Sequence, residues 1–144
     1  MADFQINDLY LHPIINHSSS KVILRHEDHL LRRFGQVELR HIPAGAQTDF
    51  TQRAAADELW VVLQGGVAIL LIDRRPQSPT FDVVDEHALF AREHLALLIP
   101  FGVAYALEAE QESQLLRLAT HADGTHQEDR SFPRQSYVDR LART

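Results

Sequence analysis

The 144-residue chain has no cysteine, which removes disulfides, thiolate metal ligands and a thiol nucleophile together and fits a reducing compartment. Long apolar runs are also missing. Stretches such as Val67 to Ile72 are far too short to cross a bilayer, and the first ten residues carry Asp3 and Asp8 in place of the apolar segment of a secretion signal. Cytoplasmic placement without membrane contact is expected. Positive charge is scarce: 14 basic against 20 acidic residues leave a net charge of -6, so a phosphate backbone is repelled and no nucleic-acid partner is expected. Nine histidines are present, but none forms a His-x-His or His-x-x-x-His pair, and the close pair His26 and His29 lies in a charged segment. Most are expected at the surface, with His41 and His94 as the exceptions.

What is present is an ordinary globular composition, 44% hydrophobic with six Gly and six Pro, at the size of one domain. A barrel over about 20–121, an N-terminal strand within 1–19 and an irregular or short helical tail over 122–144 are expected. From Val22 onward, short apolar segments alternate with turn residues, the pattern of an all-β sandwich or barrel. Gln36 to Ile42 alternates, predicting a half-buried strand with Val37, Leu39 and His41 inward, stopped by Pro43-Ala44-Gly45. Glu58 to Gln64 and Val67 to Asp73 are β-branched runs joined through Gly65-Gly66, which predicts a tight hairpin. Further strands are predicted at Thr80 to Val84, Leu95 to Ile99, Ala104 to Ala109 and Gln114 to Thr120, with short helical pieces at Asp28 to Phe34 and Tyr137 to Arg143.

One spacing is informative. Gly45 is followed after five residues by Thr51-x-Arg53, after four more by Glu58, and after six more by Gly65; later comes Pro100-Phe101-Gly102-Val103-Ala104-Tyr105. Both frames resemble the two motifs of cupins, with threonine, arginine and tyrosine where those motifs carry histidines. The resemblance implies a double-stranded β-helix, the jelly-roll barrel. Within cupins, Asp73-Arg74-Arg75-Pro76-Gln77-Ser78-Pro79-Thr80-Phe81 resembles a segment of the dTDP-4-dehydrorhamnose 3,5-epimerase family. Phe34-Gly35-Gln36-Val37 and Ile99-Pro100-Phe101-Gly102 extend the similarity to about residues 32 to 120, and Asp129 and Pro133 loosely match that family's acidic end.

The family's reaction removes protons beside the ketone of a nucleotide-bound sugar, which needs a base, an opposed acid and a donor for the enolate oxygen. Carried over, the base histidine falls on Thr51, the preceding arginine on Thr48, the lysine on Glu58 and the tyrosine near Arg117. None of these types is retained, so the family's own mechanism is not expected. Of cupin metal ligands only Glu58 remains, so no metal and no other cofactor is expected. Strand alternation aims Thr51, Arg53, Glu58, Trp60, Tyr105 and Arg117 at one cavity.

Three readings follow. Thr51, Arg53, Trp60 and Arg117 hold an anionic or sugar-like small molecule in a non-catalytic or diverged protein. Alternatively, Glu58 as base and Tyr105 as acid run an isomerase or epimerase reaction. In the third, Glu58 pairs with the arginines inside a scaffold that takes no ligand. Arg74 and Arg75 are expected on an exposed loop. The resemblance implies a homodimer formed through an N-terminal strand, with Leu9 to Leu11 or Val22 to Leu24 as the candidate.

Overall fold

The computed structural model describes residues 4–142, so Met1 to Asp3 of the expected N-terminal strand and Arg143 of the expected terminal helix lie outside the described residues. Among the described residues the strands are β1 (Tyr10–Pro13), β2 (Ile15–Asn16), β3 (Lys21–Val22), β4 (Gln36–Ile42), β5 (Phe50–Gln52), β6 (Glu58–Gln64), β7 (Gly66–Asp73), β8 (Val84–Phe90), β9 (Leu95–Ile99), β10 (Val103–Glu108), β11 (Ser113–Ala119) and β12 (Arg130–Phe132). An α-helix follows, α1 (Gln135–Leu141). Two five-stranded antiparallel sheets, ordered β1-β9-β6-β11-β4 and β12-β5-β10-β7-β8, face each other as a cupin jelly roll. They remain two separate ladders rather than one closed ring.

Trp60, Ile69, Leu71, Leu89, Leu97, Ile99 and Leu115 fill the space between the sheets. The outer faces are covered as well. Leu59, Val61 and Ala96 lie under Ile14, Leu24, Leu30 and Leu31 of the N-terminal segment. On the other sheet, Phe50, Leu70 and Ile72 lie under Phe132 and Tyr137, whose rings stack with Phe50. Strands covered on both faces have no reason to alternate, which explains the unbroken apolar runs of β6 and β7.

Several expectations from the sequence change here. β6 and β7 do not pair as a hairpin; they belong to opposite sheets, and Gly65-Gly66 is the corner between them. A two-glycine corner has the same sequence as a hairpin turn because both need positive φ, +78° at Gly65. Close approach fixes the second glycine, since a Cβ on Gly66 would stand 2.3 Å from the Phe90 ring. In β4 the faces are reversed: Val37 and Leu39 are 52% and 61% exposed and His41 is exposed, while Glu38 and Arg40 are half-buried. Glu38 turns inward because Arg117 and Arg40 are there to pair with it, at 3.2 and 3.0 Å.

Of the predicted strand at Thr80 to Val84 only Val84 is a strand residue; Thr80 to Asp82 form a turn, and the strand is β8, whose polar Asp85, Glu86 and His87 hid it. Of the predicted piece at Asp28 to Phe34, only a single 3-10 turn, His26–Asp28, is helical. The terminal helix starts two residues earlier than predicted, at Gln135. β1 pairs with β9 of its own chain and β3 with β2.

Arg74 and Arg75 are not a solvated pair. Arg75 Nε and Nη2 donate to the fully buried Asp73 at 2.9 and 3.0 Å, and the Ser78 and Thr80 hydroxyls donate to the same carboxylate at 2.6 and 2.7 Å. Arg74 pairs with Asp82 and lies over the Phe81 ring. Gly102, with φ +87°, packs on the Arg75 stem, where a Cβ would come within 2.4 Å. Two of the segments that carried the family resemblance, 73–81 and 99–102, thus hold each other.

Burial alone would raise the Asp73 pKa, but hydrogen bonds from Arg75, Ser78 and Thr80 outweigh it and hold it at about 2, against an ordinary 3.8. A depressed carboxylate contributes stability above its unfolded pKa that is lost as pH falls through the folded one. Acid titration of wild type should therefore lose stability between about pH 4 and pH 2 through this group. Asp73→Asn should flatten that part of the urea-unfolding profile and lower stability at pH 7 by about 1–3 kcal/mol.

Candidate functional site

At one end of the barrel, strand register sets the site. Glu38, Arg117 and Trp60 are cross-strand neighbours on β4, β11 and β6. Glu58, two residues before Trp60, shares its inward face. On the facing sheet Tyr105 and Thr51 are abreast, and Arg53 stands just beyond β5. Arg53 is also fixed through its backbone, because its carbonyl accepts the Gly102 N–H at 2.9 Å from the Pro100-Phe101-Gly102 turn.

Glu58 is fully buried and is the centre of the cluster. Its Oε2 accepts from Arg53 Nη1 at 2.8 Å, Arg117 Nη1 at 3.0 Å and the Tyr105 hydroxyl at 2.6 Å. Its Oε1 accepts from Trp60 Nε1 at 2.8 Å. The Trp60 and Tyr105 rings meet edge to face with centroids 4.8 Å apart. A carboxylate so enclosed is compatible with burial because four donors replace its water.

A second tier of carboxylates completes the arginines. Arg53 donates from Nε to Asp129 at 3.1 Å, from Nη1 to Asp123 at 2.9 Å, and from Nη2 to the His121 and Ala122 carbonyls at 3.0 and 3.3 Å. With Glu58, these acceptors match the five N–H groups of a guanidinium. Arg117 donates from Nε to Glu38 and from Nη2 to Asp123, at 3.2 and 2.5 Å. Burial lowers the pKa of both arginines, but Glu58 and their other partners more than reverse this, so both remain charged. Burial and the Glu58 charge together push the Tyr105 phenol well above its ordinary value, so it stays protonated.

The cluster opens into a cleft of about 210 Å³ lined by Arg40, Thr51, Arg53, Tyr105, Arg117, Asp123, Gly124 and Asp129. All six residues singled out from the sequence therefore come together, in different roles. Thr51, Arg53, Tyr105 and Arg117 reach the cleft; Glu58 and Trp60 lie beneath it, and Trp60 offers no ring face to an occupant. Thr48 is outside the cleft, its hydroxyl accepting the Leu107 N–H. His94 ends a 3-10 turn with φ 54°, as a loop residue.

Sequence reasoning missed Glu38, Arg40 and Asp123 and gave Asp129 no role in the site. Charge balance was the available signal: two inward arginines facing one glutamate call for further carboxylates. Among the described residues no group of three or more His, Cys, Asp or Glu is placed to hold a metal ion. No helix there is long and apolar enough to cross a membrane.

Removing the central carboxylate takes away the buried acceptor shared by Arg53, Arg117, Trp60 and Tyr105. Glu58→Ala should lower stability by about 3–5 kcal/mol in urea unfolding. Tyr105→Phe, which removes one of four donors, should cost about 1–2 kcal/mol.

A family model described as dTDP-4-dehydrorhamnose 3,5-epimerase matches residues 47–132, more than half of the chain. Spore coat polysaccharide biosynthesis protein SpsL of Bacillus subtilis (strain 168) is 29% identical over 93 residues, which make up 65% of this chain and 62% of that protein. The match thus spans less than two thirds of the relative's length. Among solved structures, a double mutant of ChmJ, a 3'-monoepimerase from Streptomyces bikiniensis in complex with dTDP, superimposes with a TM-score of 0.82 at 18% identity, over 94% of this chain and 74% of that one. The dTDP-4-dehydrorhamnose 3,5-epimerase from Sulfolobus tokodaii gives 0.78 at 19% identity, over 93% and 82%. Those structures carry the fold and the family model carries the kinship: this chain belongs to the dTDP-4-dehydrorhamnose 3,5-epimerase family.

Proposed function

We propose that this chain binds a sugar or sugar nucleotide with an acidic group and does not carry out proton transfer on it. The observation that carries this reading is the engagement of both Glu58 oxygens by Trp60, Tyr105, Arg53 and Arg117. A base needs a lone pair facing substrate and a pKa near the working pH. Glu58 is enclosed, the cleft lining contains neither histidine nor lysine, and the Tyr105 proton is committed to Glu58. The cleft is lined by guanidinium groups and hydroxyls, the donors that recognise carboxylate, phosphate and sugar oxygens, together with the carboxylates of Asp123 and Asp129.

The competing reading, an active isomerase or epimerase using Glu58 and Tyr105, draws on their 2.6 Å contact at the cleft wall. Incubation with a dTDP-4-dehydro sugar in D2O separates the two. The expected result is no deuterium at the carbons beside the ketone, together with a ligand-induced rise in melting temperature that Arg117→Ala abolishes. Deuterium incorporation that disappears in both Glu58→Gln and Tyr105→Phe would establish the enzyme instead.

The same proposal includes a single cupin domain, cytoplasmic placement and a homodimer. Support for pairing comes from β4, which lies at the end of its sheet and exposes Val37 and Leu39 beside Phe34. Light scattering after gel filtration should give twice the 16.4 kDa chain mass. A monomer that Val37→Lys and Leu39→Lys leave unchanged would remove that part.

A further inference from the structure

We infer that Asp123 stands in for the acidic group of the ligand, so that the loop after β11 is a latch which an incoming oxyanion must displace. This rests on the binding reading above and adds to it the class of ligand group and the way the site is regulated. Asp123 bridges the two sheets: Oδ1 accepts from Arg53 Nη1 beyond β5 at 2.9 Å and Oδ2 from Arg117 Nη2 on β11 at 2.5 Å. One carboxylate spanning two guanidinium forks is the arrangement by which arginines bind phosphate or carboxylate groups of small molecules.

Asp123 differs from Glu58 in how it is held. Glu58 is part of a strand and fully buried, whereas the Asp123 side chain is 47% exposed on a segment of turns and bends. Its next neighbour, Gly124, has φ +80° and open space around its Cβ position. Apart from half-buried His126, residues 123–128 are exposed, so moving them uncovers little apolar surface. The flanks are tied independently, at one side by the His121 and Ala122 carbonyls on Arg53, at the other by Asp129 on Arg53 and on the Ala54 N–H. Gln36 holds the latch shut by donating to Asp123 Oδ2 at 3.1 Å and accepting the Asp123 N–H at 2.9 Å.

Charge requires an exchange. Arg40, Arg53 and Arg117 face Glu38, Glu58, Asp123 and Asp129, so the cleft is net negative with Asp123 in place and neutral once it leaves. An anion added on top of Asp123 would be repelled; one that replaces it inherits both guanidiniums. The 210 Å³ cleft is below the usual 300–1,000 Å³ of a small-molecule site, and withdrawal of Asp123 removes one of its walls.

The test is isothermal titration of the full chain with inorganic pyrophosphate and, separately, with glucuronate, which distinguishes a phosphate from a carboxylate site. Asp123→Ala should bind one of these probes at least tenfold more tightly than wild type. Gln36→Ala, which changes no group of the anion site, should shift affinity the same way by a smaller factor. Asp123→Ala/Arg117→Met should lose the gain. Equal affinity of wild type, Asp123→Ala and Gln36→Ala would overturn the latch while leaving the binding reading standing. Absence of binding of either probe to any folded variant would overturn the latch, and if dTDP-sugars also fail to bind wild type, the binding reading falls with it.

Discussion

A carboxylate in the middle of a barrel must be paired, and the pairing of Glu58 organises this end of the molecule. Left alone, it would cost far more than any one contact returns, so β11 and the end of β5 must each supply a guanidinium, and β10 a phenol, at hydrogen-bond distance. The arginines then need acceptors for their remaining N–H groups. That demand turns Glu38 inward, reversing the faces of β4, and draws the loop around 121–129 over the mouth. Strand orientation, loop placement and cleft shape thus follow from one buried charge.

The consequence for chemistry is a division of labour. Both Glu58 oxygens are engaged in fixing two cations and two ring donors, and the same two arginines line the cleft. An enolate-forming enzyme needs a base whose lone pair meets substrate. The family architecture is retained here around a cluster of paired charges. The Asp73 loop shows the same economy: the Asp-x-Arg and Ser-Pro-Thr segments close on one buried carboxylate that also seats Arg75 against Gly102.

Much of this was legible in the residues. The all-β class, the ranges of β4, β6 and β9, and the convergence of Thr51, Arg53, Glu58, Trp60, Tyr105 and Arg117 followed from spacing and alternation, as did the family resemblance from the 73–81 segment. What could not be read depended on partners distant in sequence. Gly65-Gly66 has the same sequence whether it closes a hairpin or turns a corner between sheets. Val37 and Leu39 look inward until Arg117 gives Glu38 a reason to take that face. β8 looks polar because only Leu89 among its side chains is fully buried. Asp123 sits in a stretch with no periodicity, where only the unmet charge of two arginines could have pointed to it.

The central claim, that Glu58 acts as the anchor of the arginines, is tested most directly by a double-mutant cycle of Glu58→Leu and Arg117→Met read by urea unfolding. An anchor predicts that the two changes are strongly non-additive, with a coupling energy of about 2–3 kcal/mol, since both break the same buried ion pair. Effects that add to within about 0.5 kcal/mol would mean that the two groups do not depend on each other, and would contradict it.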